Sequence, residues 1–404
     1  QKSKNKTALL IMQKEVLHPI NEQVFFTESE INLDDLMQTC SQKTLKEEYP
    51  LADSVENNVV IYDARNITPL IDNSNQEKRV KTELNHILEK GPGVFAIRNL
   101  YEEKVIDQSN VIFDKIIKNE ATNKNDHFAS GSNTRIWNSF QKVALENSEA
   151  FISYYANNIL RVVAESWCGP NPQMTAQVNV IKPGSEMQKP HRDYHLGFQE
   201  NETIQEYPIS THRMSQHLTL QAVIAHSDMP LESGPTLLLP YSQQYELGYL
   251  AWRNKEFKGF FSKNAVQVPI KKGDGIFCNP ALFHAAGSNS TNNFNRIANL
   301  LQISSVFGKA MERIDYNKII KNIYPALLKH QNNNTLSKRL VENVLVCATD
   351  GYPFPTNLDY DTSSYSSLHG LSMFEVTQQA LLDSLDLENF SLKLSEHQRI
   401  RLSD

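Results

Sequence analysis

Cysteine is scarce in this chain: four in 404 residues, at positions 40, 168, 278 and 347, with no two close enough to form a CxxC pair. That scatter argues against a disulfide-stapled scaffold or a cysteine-rich zinc module. The thiols are expected to be free and buried, as in a reducing compartment. Long apolar runs are missing as well. The longest are of strand length, well short of the roughly 20 residues a membrane-crossing helix needs. The apolar patch at 7–12, behind Lys2, Lys4 and Lys6, is too short for a secretory leader, and no small-residue cleavage site follows it. The last residues, Leu402-Ser403-Asp404, carry no peroxisomal address. A cytoplasmic protein without a membrane partner is therefore expected. Positive charge is not in excess: 40 Lys and Arg against 46 Asp and Glu leave a net charge of −6. The basic residues are dispersed, which argues against a nucleic-acid partner. No internal repeat is present. What remains is ordinary globular composition, 40% hydrophobic and 21% charged, in a chain long enough for one large domain with additions, or for two.

Residues 1–75 read as a polar, irregular N-terminal extension with one strand, Val59-Val60-Ile61-Tyr62. Apolar spacing predicts helices over 78–90, 101–119 and 148–167, and a strand over 94–97. From Thr175 onward strand signals dominate, at 176–181, 218–225, 236–239, 265–270, 275–279 and 297–306, punctuated by Gly184, Gly234-Pro235 and Gly273-Asp274. Past Gly308 the pattern turns helical again, at 314–329, 336–347 and 374–385. Many short strands between flanking helices predict an α+β fold built on a sandwich or closed barrel. The polar, turn-rich stretches 123–137 and 351–370 are expected to form or cover the mouth of a pocket.

One constellation carries chemistry. His191-Arg192-Asp193 is followed 93 positions later (284 − 191) by His284, and then by Arg296. Two imidazoles and one carboxylate are the set that holds Fe(II) on one face of an octahedron and leaves the other positions open. Two residues apart on an extended segment, His191 and Asp193 point to the same side of the backbone. Taken alone, a His-x-Asp triplet among 12 His and 46 acidic residues carries little weight. Its context is distinctive. Tyr194-His195-Leu196-Gly197-Phe198 follows directly, then Glu232-Ser233-Gly234-Pro235-Thr236-Leu237-Leu238-Leu239-Pro240-Tyr241-Ser242, then Lys272-Gly273-Asp274-Gly275-Ile276-Phe277-Cys278-Asn279-Pro280, and finally Leu282-Phe283-His284-Ala285-Ala286-Gly287-Ser288-Asn289.

These blocks, in this order, resemble the phytanoyl-CoA dioxygenase family of Fe(II)/2-oxoglutarate-dependent oxygenases over roughly 85–308. The resemblance implies a double-stranded β-helix (jelly-roll, cupin-like) core and iron held by His191, Asp193 and His284. It implies 2-oxoglutarate as co-substrate with O2, ascorbate as reductant in vitro, and Arg296 as the partner of the 2-oxoglutarate carboxylate. The gap from His284 to Arg296 is twelve residues (296 − 284), one more than is usual in that family, and the turn-rich 287–295 stretch could absorb it. Division of the chain follows: an N-terminal extension over 1–75, a dioxygenase domain over 76–308 and a helical C-terminal extension over 309–404.

The expected activity is hydroxylation, or another oxidation, of a small organic or acyl-type metabolite. The intact carboxylate of Asp193 stands where halide-transferring relatives have a small residue. A non-catalytic jelly-roll binding protein and an oxygenase acting on a protein are the alternatives. Gln177 and Asn179 share one face of the strand before the metal motif, where the family contacts the 2-oxo acid; core hydrogen bonding is an equal reading of them. Arg192 is expected to face away from the metal into solvent. Packing is preferred over pocket lining for Trp137 and Phe198. Neither the substrate nor the oligomeric state can be read from the sequence.

Overall fold

The computed structural model describes residues 23–120, 133–361 and 369–403. The apolar patch at 7–12 and the 123–132 and 362–368 parts of the two turn-rich stretches lie outside these residues. The centrepiece is an eight-stranded sheet in the order β1-β2-β3-β8-β6-β10-β5-β4. Its strands are β1 (Ser54–Glu56), β2 (Val59–Asp63), β3 (Val94–Arg98), β4 (Thr134–Ile136), β5 (Gln173–Ile181), β6 (Thr219–Ala225), β8 (Gly275–Cys278) and β10 (Arg296–Ser304). The β2–β3 pair is parallel and the other neighbours run antiparallel. A second, thin layer is formed by β7 (Leu237–Leu238) and β9 (His284–Ala285), extended by bridges from His191 to His284 and from Val266 to Leu238.

Strand alternation divides the sheet into two faces. Phe95, Phe277, Leu220, Ile224, Leu301 and Ile303 join the large core under the helices. Val94, Ala96, Ile276, Cys278, Ala225 and Ala298 face the other way, packing with Met229, Leu238, Val268 and Ile270 of the thin layer. The α+β class and two-layered core agree with the sequence. The sheet does not close into a barrel; β1 and β4 are its open edges.

The helices fit their sequence periods. Helix Ser74–Glu89 buries Val80, Leu84, Ile87 and Leu88, a single stripe, and Asn73 caps its first turn. Helix Tyr316–Asn332 buries Ile319, Ile320, Ile323, Tyr324 and Leu327, and Tyr324 stacks on Phe390 of helix Leu387–Arg399 at 4.0 Å. Among the described residues no helix is long and apolar enough to cross a membrane. The four cysteines are unpaired; three are buried and Cys40 is partly exposed.

Several elements depart from the sequence expectation. The stretch before residue 75 is not irregular: it holds helices Leu33–Cys40 and Ala64–Ile71 besides β1 and β2. The first buries one residue, Leu36, too little for a periodic signal, and the second contains Pro69, which reads as a breaker. The 265–270 strand is reduced to isolated bridges at Val266 and Ile270. The helix expected over 148–167 is two, Ser148–Tyr155 and Asn158–Cys168. Asn157 divides them. Its Oδ1 accepts from the Leu160 amide while its Nδ2 donates to the Leu100 carbonyl. Asn157→Ala is expected to lower stability by about 1–2 kcal/mol, the loss of a cap plus a tertiary bond. Urea unfolding checks this, and an unchanged midpoint would remove Asn157 as the reason for the break.

Candidate metal centre

His191 and His284 face one another across the bridge that joins their segments, each donating its amide to the other's carbonyl. Asp193 is tied down by its own amide, which donates to the Pro280 carbonyl at 2.8 Å. The ligating atoms of these three residues all lie within 4.8 Å of one another. Nε2 of His191 is 3.3 Å from Asp193 Oδ1, and Nε2 of His284 is 3.8 Å from Asp193 Oδ2.

The outer ring nitrogens settle the tautomers. His191 Nδ1 lies 2.9 Å from the Lys189 carbonyl, and His284 Nδ1 lies 2.9 Å from the Leu282 carbonyl. A carbonyl only accepts, so each Nδ1 carries a hydrogen and each Nε2 is turned inward toward the carboxylate. Two imidazole nitrogens and a hard anionic oxygen, so aimed, fit a divalent iron ion. Burial by itself would push His191 down and Asp193 up, but their hydrogen bond and opposite charges more than offset this, holding His191 above its usual range and the Asp193 carboxyl below; a bound metal would take the place of the His191 proton. Burial pushes His284 down to about 4, with His191 adding to the shift. At neutral pH His284 is therefore a neutral donor, as metal ligation requires.

The triad lies in a cavity of about 670 Å³ between the two layers. Every second residue of β10 reaches it: Arg296, Ala298, Leu300 and Gln302. Across the ladder, Gln177 of β5 opposes Leu300 and Asn179 opposes Ala298, and both line the same space. Gln177 Nε2 donates to Glu312 at 3.2 Å, whereas Asn179 Oδ1 is buried without a partner. Apolar walls come from Trp137, Met187, Phe198, Trp252 and Met311. Trp137 and Phe198 are thus pocket-lining rather than plain packing.

Arg296 is 5% exposed, and among the described residues it makes no ion pair. Its Nη1 donates to the carbonyls of Ser233 (2.6 Å) and Gly287 (3.2 Å), and burial pushes its pKa down to about 10. A buried guanidinium without an anion is costly, so the cavity fits a ligand carboxylate. The connection from His284 folds around Asn289, whose Nδ2 donates to the Ile181 and Phe294 carbonyls while its Oδ1 accepts from Thr291. That folded loop delivers Arg296 to the cavity face.

The expectation for Arg192 is overturned: it is 1% exposed, not solvated. It does point away from the metal, but into protein, donating to the carbonyls of Ser242 and Tyr245 at 2.7 Å each. Its guanidinium lies over the rings of Tyr249 and Phe283 at 4.8 and 5.2 Å. The 351–361 part of the second loop lines none of this cavity; Arg401 binds it back through the Pro353 and Pro355 carbonyls. Of the first loop, Arg135 and Trp137 do reach the cavity. Gln302 was missed. Alternation counted onward from Arg296 would have found it.

The profile of the phytanoyl-CoA dioxygenase (PhyH) family matches residues 90–298, just over half of the chain. Among solved structures, one similar chain is the non-heme alpha-ketoglutarate-dependent carbocyclase SnoK from nogalamycin biosynthesis, with 17% identity and a TM-score of 0.40, over 55% of this chain and 83% of that one. Another is the epimerase SnoN from the same biosynthesis, with 16% identity and a TM-score of 0.39, over 57% and 84%. SnoN in complex with Fe3+, alpha-ketoglutarate and nogalamycin RO gives 16% and 0.40, over 57% and 85%. No curated protein matches the chain.

A contact with no slack lies at Gly248, where an added Cβ would collide with the Arg192 guanidinium. Held by two carbonyls and two rings, that guanidinium has nowhere to retreat. Gly248→Ala is expected to destabilise the protein by about 1–3 kcal/mol, the usual range for overpacking, and to loosen the segment between the two ligands. Urea titration read beside Co(II) binding tests it; wild-type values in both would show Arg192 to be no strut.

Proposed function

The chain belongs to the phytanoyl-CoA dioxygenase family, and from that membership we propose that it oxidises a small organic or acyl-type molecule with release of succinate and CO2. It is an Fe(II)/2-oxoglutarate-dependent dioxygenase. One observation carries the reading: two inward-facing imidazole nitrogens, one carboxylate and a buried guanidinium without a counter-ion meet in one cavity. When bound there, iron and 2-oxoglutarate supply oxidative decarboxylation of the 2-oxo acid coupled to oxygen transfer onto the substrate.

The chain's own residues do the rest. His191, Asp193 and His284 would hold the iron and leave room beside it for co-substrate and O2. Arg296 takes the far carboxylate in its planar fork, a pairing that a lysine cannot reproduce. Asn179 and Gln177 stand beside that path as polar contacts for the co-substrate, each through its amide nitrogen, since the 2-oxo acid only accepts hydrogen bonds. Trp137, Phe198, Trp252, Met187 and Met311 keep water out and pack an apolar substrate body. Asp193 fills the position a halide would need, so the expected outcome is hydroxylation or a related oxidation. In this reading 76–308 is the catalytic unit. The 1–75 extension adds strands to its sheet, and 309–404 backs it with helices.

The purified protein is expected to bind about one Fe(II) per chain by the facial-triad rule, and to lose it in Asp193→Ala. A metabolite panel assayed for succinate release with Fe(II), ascorbate and 2-oxoglutarate identifies the substrate class; failure of any member to stimulate turnover, with metal and 2-oxoglutarate bound, would favour a binding protein. Run in excess chloride, the same reaction is expected to yield no chlorinated product by mass spectrometry.

Arg296→Ala is expected to weaken 2-oxoglutarate binding by about 2–5 kcal/mol while sparing the metal, as when one partner of a buried charged pair is removed, with Arg296→Lys restoring only part. Wild-type 2-oxoglutarate affinity in Arg296→Ala would move the anchor elsewhere.

A further inference from the structure

Each of the three ligand side chains is held in orientation by a hydrogen bond from outside the triad. For His191 and His284 the partner is a backbone carbonyl, of Lys189 and Leu282. For Asp193 it is a side chain: Gln302 Nε2 donates to Asp193 Oδ2 at 3.2 Å. Gln302 is 5% exposed and lies on β10 of the large sheet, whereas His191 and His284 pair in the thin layer and Asp193 is held by the Pro280 carbonyl beside it. Its orientation is fixed by chemistry, since the opposite placement would set an amide oxygen against a carboxylate. Its Oε1 is buried without a partner, so the bond to Asp193 is what holds the carboxamide. The neighbouring rung gives no substitute. Gln221, which pairs with Gln302 across β6, accepts from the Cys278 thiol instead.

We propose that Gln302 is the positioning residue of the iron carboxylate. It ties up Oδ2 so that Oδ1, on the His191 side, is presented to the metal as a single-oxygen ligand. A carboxylate free to rotate would offer both oxygens and close a position that the co-substrate or O2 needs. The inference rests on the metal-site reading above. It concerns the geometry of the third ligand rather than its identity.

The test uses Co(II) as the probe, because its visible absorption reports ligand number and geometry without turnover. Gln302→Met keeps the length and removes the donor. Gln302→Asn keeps the amide but is too short to reach. Both are expected to bind Co(II) about 10–100-fold more weakly, as loss of an outer-sphere partner does elsewhere, and to shift its visible bands. The thermal midpoint of the metal-free protein should stay near that of the wild type. Co(II) affinity within about twofold of wild type, with unchanged bands, overturns the proposal. So does a loss of affinity that appears only together with a collapse of metal-free stability, which would make Gln302 merely structural. His284→Ala serves as the control: wild-type Co(II) binding there would sink the metal site itself and leave Gln302 without a ligand to position.

Discussion

Two arginines are buried in this protein without a carboxylate beside either among the described residues, and much of the site is the means by which those charges are tolerated. Removing a guanidinium from water costs several kcal/mol unless hydrogen bonds and polarisable neighbours replace the lost hydration. Arg192 finds its replacement inside the chain, in two carbonyls and two aromatic faces. Arg296 finds only the two carbonyls that grip Nη1, and then looks into the cavity. The first arginine fixes the backbone between His191 and Asp193. The second leaves a deficit of negative charge that a dicarboxylate would fill. Positions 192 and 296 do opposite work with the same side chain because one is enclosed by protein and the other borders open space.

β10 connects these parts. Lying between β5 and β6, it sends one side chain in two to the helical core and the other to the cavity. Along its cavity face run a cation, a small residue, an apolar residue and an amide, in the order Arg296, Ala298, Leu300, Gln302. Ala298 leaves room beside the guanidinium, Leu300 forms apolar floor, and Gln302 meets the carboxylate ligand. A one-residue slip in register would turn all four into the helical core and bring Ile297, Leu301 and Ile303 into the cavity. The same pairings that bury the core therefore set the spacing between Arg296 and the His191, Asp193 and His284 group.

Much of this was legible because strand alternation and ligand chemistry are local rules. His191, Asp193 and His284 stood out by residue type and spacing, and the resemblance of the blocks around them joined them into one set with Arg296. What stayed hidden depends on distant partners. Arg192 reads as a surface residue until Ser242, Tyr245, Tyr249 and Phe283 close around it, and they lie about 50 to 90 positions away. The helix break at Asn157 was masked by an apolar stripe that continues in phase on both sides. Helix Ala64–Ile71 was hidden by its own Pro69, tolerated where the chain already packs on the sheet. The 265–270 segment has strand composition but pairs through isolated bridges, since its apolar residues are used against the sheet rather than along a ladder.

The division of labour between the layers bears on how the site works. The thin layer, with two-residue strands, cannot hold itself together by backbone pairing alone. It is kept in place by the apolar cluster of Met229, Leu238, Val268 and Ile270 against the sheet, and by the polar reach of Gln302 to Asp193. His191 and His284 pair in that layer and Asp193 follows two residues after His191, while Arg296 belongs to the large, paired sheet. A co-substrate held by Arg296 at one end and by the metal at the other would span the gap between them. The two ends of that span are set by different layers, whose relative position rests on the apolar cluster and on the Gln302–Asp193 bond.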